Sequence, residues 1–340
     1  MAYKSLQRQG GVALIMAVVS VAIIAIIAVA MSSEQTLLIR RIQNTILVDS
    51  AWQYAIGGEQ FAALALQKEQ AEGKKANKDY DHSKELHLSE EFLFPLEGVG
   101  GSISGNMEEL QGLFNLTNLV QADGSDNSAG TATFQNLLTQ VGVPASLKDN
   151  LSAAVTDWTD PDQQELPNGA EDSYYQTLEK PYLAANQPFK SVEELRLVKG
   201  FNEKIPQPNS DEEVTVFELL EEYLVVLPTQ TALNVNTASE PVLQAAYPHL
   251  NASTAADLVK KAAEDPPFTT KDDFTGHAAN QQQNGQAVEW DNFLPVDVRS
   301  EYFAINLTVS LGGIDTPLYS VLRRNLDDGK VHVVRRQRGK

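Results

Sequence analysis

The chain has no cysteine among its 340 residues, so packing, hydrogen bonding or a bound metal must supply the stability that disulfides give many exported proteins. It holds five histidines, none paired at ligand spacing, which argues against a zinc centre. No glycine-rich phosphate loop, G-x-S-x-G elbow or H-E-x-x-H pair occurs, and carboxylate pairs such as Asp160 and Asp162 lack the poised base or nucleophile that acid–base chemistry requires. No catalytic residue is assigned, and the chain reads as a non-enzyme. Cations are scarce: 26 Lys and Arg stand against 45 Asp and Glu, a net charge of −19. Such a surface repels nucleic-acid phosphates and anionic lipid head groups, and it suits cations and protein partners. Proline is missing until Pro95, so no pyrrolidine ring interrupts a helix before that point.

What the N-terminus does have is a short basic leader ending in Gly10-Gly11, followed by an unbroken apolar run from Val12 to Met31 in which Ser20 is the one polar residue. As a helix at about 1.5 Å per residue this run is roughly 30 Å long, the thickness of a bilayer's hydrocarbon core. A serine hydroxyl bonds back to a carbonyl one turn earlier, so Ser20 does not spoil the span. Lys4 and Arg8 precede it and an acidic chain follows, so the positive-inside tendency puts the N-terminus in the cytoplasm. A secretory signal cut after the small-x-small Ala28-Val29-Ala30 is the competing interpretation; the apolar run exceeds the roughly 7–15 residues usual for one.

Beyond the span, Leu38, Ile42 and Ile46 recur every four residues, and Tyr54, Gly58, Phe61 and Ala65 continue at helical spacing. One helix is therefore expected from near Val12 to about Gln70, with its end and a loop over Glu72 to Asp81. Glu97 to Leu110 reads as a first strand with its turn. Tyr302 to Leu311 alternates Phe303, Ile305, Leu307, Val309 and Leu311 on one face, Gly312-Gly313 turns the chain into Pro317 to Arg324, and Asp327 to Lys330 leads to a last strand at Val331 to Val334. Between these, Phe134 to Val141, Ser146 to Trp158, Ser191 to Lys199 and Thr254 to Ala263 read as helices, with capping boxes at Ser191/Glu194 and Ser210/Glu213.

The middle of the chain carries Asp157-Trp158-Thr159-Asp160-Pro161-Asp162 and then Gly169-Ala170-Glu171-Asp172. Calcium takes about six to eight oxygens, which an acidic loop supplies from carboxylates, carbonyls and water. Asp160, Asp162, Glu171 and Asp172 are the candidate ligands; the residues alone favour a solvated acidic loop, and their spacing is not that of an EF-hand. Residues 233–269 resemble a helix-hairpin-helix unit, but the turn Tyr247-Pro248-His249-Leu250-Asn251 has no glycine to let a phosphate approach backbone amides. Nucleic-acid binding is therefore not expected, and Asn236-Thr237 is assigned to capping a helix.

The leader, the mature start Val12-Ala13-Leu14-Ile15, the half-embedded helix and Ala51-Trp52-Gln53-Tyr54-Ala55-Ile56-Gly57-Gly58-Glu59 resemble the K-class minor pseudopilin of type II secretion systems. The likeness recurs at Phe114-Asn115-Leu116-Thr117-Asn118-Leu119, Ala185-Asn186-Gln187-Pro188-Phe189 and Leu233-Asn234-Val235-Asn236-Thr237, so it spans nearly the whole chain in order. The resemblance implies cleavage by a prepilin peptidase between Gly11 and Val12, with the cut after Gly10 as the near alternative, and a methylated mature N-terminus. It also implies that the acidic loop binds calcium as a structural ion. Most pilin-like proteins carry glutamate at the fifth mature position. Met16 stands there instead, a departure typical of the K class that removes a carboxylate in need of a partner inside the membrane.

By the same resemblance the fold is α+β: a pilin-like long N-terminal helix packed on a small antiparallel sheet, with a large, mainly helical domain bearing helix-hairpin-helix-like units inserted between strands. Residues 1–11 form the leader, 12–31 the transmembrane half of the helix, 32–75 its periplasmic half, 76–115 the first part of the α/β domain, 116–299 the inserted domain and 300–340 the C-terminal strands. The implied function is capping the tip of the periplasmic pseudopilus, initiating the fibre and supporting export across the outer membrane. Implied partners are I-class and J-class minor pseudopilins at the tip, the H-class subunit, the major pseudopilin, the peptidase and inner-membrane lipid. Leu38, Ile42 and Ile46 are the candidate helix-assembly positions. A minor pilin of a type IV pilus shares the leader and helix, and a membrane-anchored helix-hairpin-helix DNA-binding protein is a more distant alternative.

Overall fold

The computed structural model describes residues 10–76, 78–84, 91–121, 125–207, 212–283 and 285–339. The leader residues 1–9, with Lys4 and Arg8, and Ser210 of the expected Ser210/Glu213 box lie outside them. Helix α1 runs unbroken from Gly10 to Ala76, 67 residues, or about 100 Å at 1.5 Å per residue. It ends later than the sequence suggests, because Lys74 and Lys75 sit in the last turn, where cations favour the negative end of the helix dipole. Lys74 Nζ also donates to the carbonyls of Leu326 (2.6 Å) and Asp327 (3.0 Å).

Five antiparallel strands form one sheet in the order β1 (Phe92–Leu96), β2 (Gly101–Glu109), β3 (Tyr302–Leu311), β4 (Ile314–Arg324) and β5 (Val331–Arg338). The strand with its turn expected over 97–110 is β2 and the turn before it, in which Gly98 and Gly100 take positive φ; the additional strand β1 precedes that turn. Pro95 is tolerated in β1 because that strand is an edge. The strand at Tyr302–Leu311 stands as read. The last strand runs four residues further than expected, to Arg338. At the β3–β4 turn Gly312 has φ +60° and a Cβ there would stand 2.8 Å from Leu47 Cδ1. Only glycine fits that contact between turn and helix.

Phe303, Ile305, Leu307, Val309 and Leu311 all face a core shared with Ala51, Ala55, Ala62 and Leu66 of α1. The helix's buried stripe is Ala51, Ala55, Glu59, Ala62, Leu66 and Gln70, one register away from the Tyr54, Gly58, Phe61 and Ala65 stripe, and Phe61 is 65% exposed. Small residues let the helix approach the sheet closely, and the one carboxylate in the stripe is neutralised: Glu59 pairs with Arg336 of β5 and accepts a 2.6 Å hydrogen bond from Ser320 of β4.

Between Glu109 and Tyr302 the chain builds a second, mainly helical lobe with its own core. Its longer helices are α2 (Ser128–Gln140), α3 (Ala145–Thr159), α4 (Glu240–Ala246) and α5 (Ala252–Ala262). The segment expected as a helix at Ser191–Lys199 is a 3-10 turn at Val192–Leu197, and Ser191 makes no side-chain cap. Glu194 instead accepts from the N–H of Lys190, and a complete capping box stands at Thr215/Glu218. Helices α4 and α5 pair through the 247–251 hairpin. Asn236-Thr237 caps neither: Asn236 exchanges two hydrogen bonds with the backbone of Phe268, while Thr237 Oγ1 bonds the Glu109 carboxylate.

The lobe covers the second face of the sheet near the start of β3, through Leu110, Val225, Leu227, Tyr302, Ala304 and Val321. This explains why Tyr302 to Ile305 are buried without alternation, while Asn306, Thr308 and Ser310 further along are only half-buried. A polar junction lies beside it. The Arg324 guanidinium meets both oxygens of Asp81 and donates to Ser300 O at 2.8 Å, and Asp81 accepts from the N–H of Ser300 at 2.7 Å. These contacts tie the chain leaving α1, strand β4 and the lobe into one body at the end of the sheet far from the Leu47 turn.

Candidate functional site

Two features carry functional chemistry: the acidic loop of the helical lobe and the uncovered face of α1. The loop is organised by Asp157. This residue sits fully buried in the last turn of α3 and accepts hydrogen bonds from the N–H groups of Leu166 (3.2 Å) and Ala170 (2.7 Å). Gly169 makes the closure possible, since a Cβ there would fall 1.9 Å from Asp157 Oδ2. Helix α3 ends at Thr159, with Asp160 as its C-cap ahead of Pro161, and the chain returns past the Asp157 side chain to Glu171.

This path brings together three of the four candidate ligands. One carboxylate oxygen each from Asp160, Asp162 and Glu171 lies within 4.8 Å of the others. Glu171 is only 3% exposed, and neither of its oxygens, nor Asp160 Oδ1, has a hydrogen-bond partner. Asp162 uses Oδ1 to accept from Gln164 N at 2.7 Å. Among the described residues none of the three joins an ion pair. Burial first, and then the neighbouring carboxylates, push the Asp160 carboxyl up to about 6 and that of Glu171 up to about 7. Buried, unpartnered and mutually repelling oxygens have the chemistry of a hard-cation site.

Asp172 is not part of the cluster. Its oxygens are taken by the N–H of Ala184 (2.9 Å) and by Gln163 Nε2 (2.8 Å), so it clamps the loop to the following segment. Hydrogen-bonded to the loop is a residue that its acidity does not reveal. Asn186, at φ 46°, donates its N–H to Trp158 O and its Nδ2 to Asp162 O, and its buried Oδ1 is unpartnered. The one available signal was its place in Ala185-Asn186-Gln187-Pro188-Phe189, since asparagine tolerates the left-handed region better than most residues.

On α1, Gly11 and Val12 lie in the first helical turns, with open space around Gly11. Leu38, Ile42 and Ile46 are 57%, 51% and 58% exposed, and the chain's own sheet begins to cover the helix only at Leu47. Further along, an apolar groove of about 650 Å³ lies between α1 and edge strand β1. Tyr54, Gly58, Phe61 and Ala65 form one wall, with Phe92 and Phe94 opposite. The stripe displaced from the core thus lines this groove at the margin of the sheet, with Tyr54 half-buried and Phe61 exposed.

The model for type II secretion system (T2SS) protein K matches residues 112–208 with its first domain and residues 233–296 with a second. Among curated relatives, the type II secretion system protein K of Pseudomonas aeruginosa is 33% identical over 334 residues, covering 97% of this chain and 93% of its own. That of Aeromonas hydrophila is 28% identical, covering 98% of each. Among solved structures, a chain of the GspK-GspI-GspJ complex from the enterotoxigenic Escherichia coli type 2 secretion system superposes with a TM-score of 0.69 at 20% identity. The match spans 88% of this chain and 99% of that one.

Proposed function

Because the chain belongs to the type II secretion system protein K family and is a minor pseudopilin of type II protein secretion, we propose that it caps the tip of the pseudopilus by bundling α1 with the helices of I- and J-class subunits. The observation that carries this is the exposed apolar row Leu38, Ile42 and Ile46, which this chain's own sheet leaves bare. A GspK relative is solved in complex with GspI and GspJ. The helical lobe is attached at the membrane-distal end of α1, through Asp81 and Arg324, where its bulk blocks addition of a further subunit above. The family favours this role over a type IV pilus minor pilin or a DNA-binding protein. The H-class subunit and the major pseudopilin would join below.

The apolar half of α1 is long enough to cross a membrane, compatible with a single-pass inner-membrane anchor. We place its N-terminus in the cytoplasm and both lobes in the periplasm, the anchor being withdrawn from lipid on assembly. Prepilin peptidase processing is expected to leave Val12 as the first residue, read by N-terminal sequencing of the assembled protein; Met31 would mean a released secretory product instead. Ile42→Asp with Ile46→Asp is expected to abolish co-purification with I- and J-class subunits while the thermal midpoint of the folded lobes stays within about 2 °C, since both side chains are exposed. Intact co-purification would sink the bundling proposal.

The acidic loop fits a calcium ion held by Asp160, Asp162 and Glu171, with Asn186 Oδ1 as a further oxygen. Calcium there would neutralise buried charge and lock the loop that joins α3 to the following turn, a structural role consistent with a lobe that has no disulfide.

A further inference from the structure

The sheet has a second open edge, and its charge is opposite to that of the molecule. Residues 330–340 carry Lys330, Arg335, Arg336, Arg338 and Lys340 and no Asp or Glu, within a chain of net charge −19. Strand β5 is the outermost strand beyond β4, and among the described residues no other strand pairs with its outer side. Two of its cations are committed: Arg336 to Glu59, and Lys330 to Asp328 at 2.7 Å. Two are not. Arg335 donates only to neutral oxygens, Lys190 O (3.4 Å) and Gln337 Oε1 (3.0 Å), and Arg338 lies 4.6 Å over the Trp52 ring. Neither forms an ion pair with a described carboxylate.

Charged edges commonly serve to prevent strand-to-strand association, and arginine on β5 does repel a second copy of the same edge. The strand also exposes two consecutive valines, however, which a purely protective edge has no use for. Val333 and Val334 are 39% and 40% exposed. Val333 pairs with Leu322 and Arg335 with Val321, so Val334 is the extra residue of a bulge. An apolar step flanked by unpaired arginines, along a row of free backbone donors and acceptors, has the composition of a strand-addition site.

We propose that the open edge of β5 accepts an extended acidic segment of another protein as an added strand, with Arg335 and Arg338 pairing its carboxylates and Val333 and Val334 packing its apolar side chains. Backbone pairing supplies affinity that is indifferent to side chains, and the arginines select acid over base. The site lies at the edge of the sheet opposite the β1 groove.

The test uses the full-length protein in neutral detergent and an end-blocked, fluorescent eight-residue peptide of valine and glutamate, read by anisotropy. The glutamate peptide is expected to bind at least 10-fold more tightly than the same peptide with lysine in place of glutamate, and more weakly as salt is raised. N-methylation of its alternate amides, which leaves charge intact, is expected to weaken it at least 10-fold. Arg335→Glu with Arg338→Glu should do the same without moving the thermal midpoint; if that variant does not fold, the peptide comparisons on the unaltered protein still decide. Equal binding of the lysine peptide would overturn the charge selection, and undiminished binding of the methylated peptide would overturn strand addition.

Discussion

Stripping divalent metal from the full-length protein with a chelator is expected to lower its thermal midpoint by about 5–10 °C, and excess calcium to restore it. A ligand present at about 100 times its dissociation constant stabilises the native state by about 2.7 kcal/mol, and each kcal/mol moves the midpoint of a domain of this size by roughly 2–4 °C. The metal-free protein should also show an inverted pH response. Burial and neighbouring charge raise the Glu171 carboxyl to about 7 and that of Asp160 to about 6, above their unfolded values. The folded state therefore binds more protons than the unfolded state across that interval, and stability falls as pH rises through it. Metal-free protein is expected to be more stable near pH 5.5 than near pH 8, by on the order of 2 kcal/mol, and calcium should abolish the difference. Glu171→Gln should raise the metal-free midpoint at pH 8 and remove the calcium response. A midpoint indifferent to chelator would rule out a structural ion.

Asp81→Ala is expected to destabilise the protein by about 3–5 kcal/mol, read from urea unfolding in detergent. Arg324 and Asp81 are 2% and 3% exposed, so removing the carboxylate leaves a guanidinium buried with Glu69 at 3.4 Å, the Ser300 carbonyl and the Phe303 ring to meet it. Adding Arg324→Met to Asp81→Ala removes the stranded charge and should recover at least half of the loss. A double variant no more stable than the single one would mean that lost packing between the lobes, rather than unpaired charge, sets the cost.

The parts of the fold that were legible in sequence are those governed by local period. Five apolar residues alternating along Tyr302–Leu311 fix which face meets α1, and an apolar run without proline fixes the start of that helix. The buried stripe of α1 was misplaced because the sheet selects the small residues Ala51, Ala55 and Ala62 for close approach and tolerates Glu59 through Arg336, a partner 277 positions away. The larger Phe61 is left facing outward and Tyr54 half-buried at the core's margin, which a hydrophobicity pattern cannot distinguish from inward. Much of the helical lobe is pinned by asparagines rather than by period. Asn115 Nδ2 bonds Thr229 O, and Asn118 Nδ2 bonds Thr231 O, contacts that only the assembled fold reveals.

The acidic loop divides in the same way. Asp160, Asp162 and Glu171 come together because Asp157 accepts from the N–H groups of Leu166 and Ala170, 9 and 13 residues on, with Gly169 admitting the close approach. Asp172 is adjacent in sequence to Glu171 but is claimed by the N–H of Ala184, 12 residues on. Asn186 enters from the same later segment, so neither could be placed by spacing.

The absence of cysteine makes the central proposal directly measurable, since any introduced thiol is unique. Single Leu38→Cys, Ile42→Cys and Ile46→Cys variants, cross-linked in membranes to I- and J-class partners that each carry one cysteine on the outer half of their own helices, are expected to form disulfide adducts. Arg40→Cys and Asn44→Cys, about 200° round the helix from Leu38 and Ile42, should not. Adducts at helical spacing would place the α1 face in the bundle; equal adducts at all five positions, or none at Leu38, Ile42 and Ile46, would contradict it.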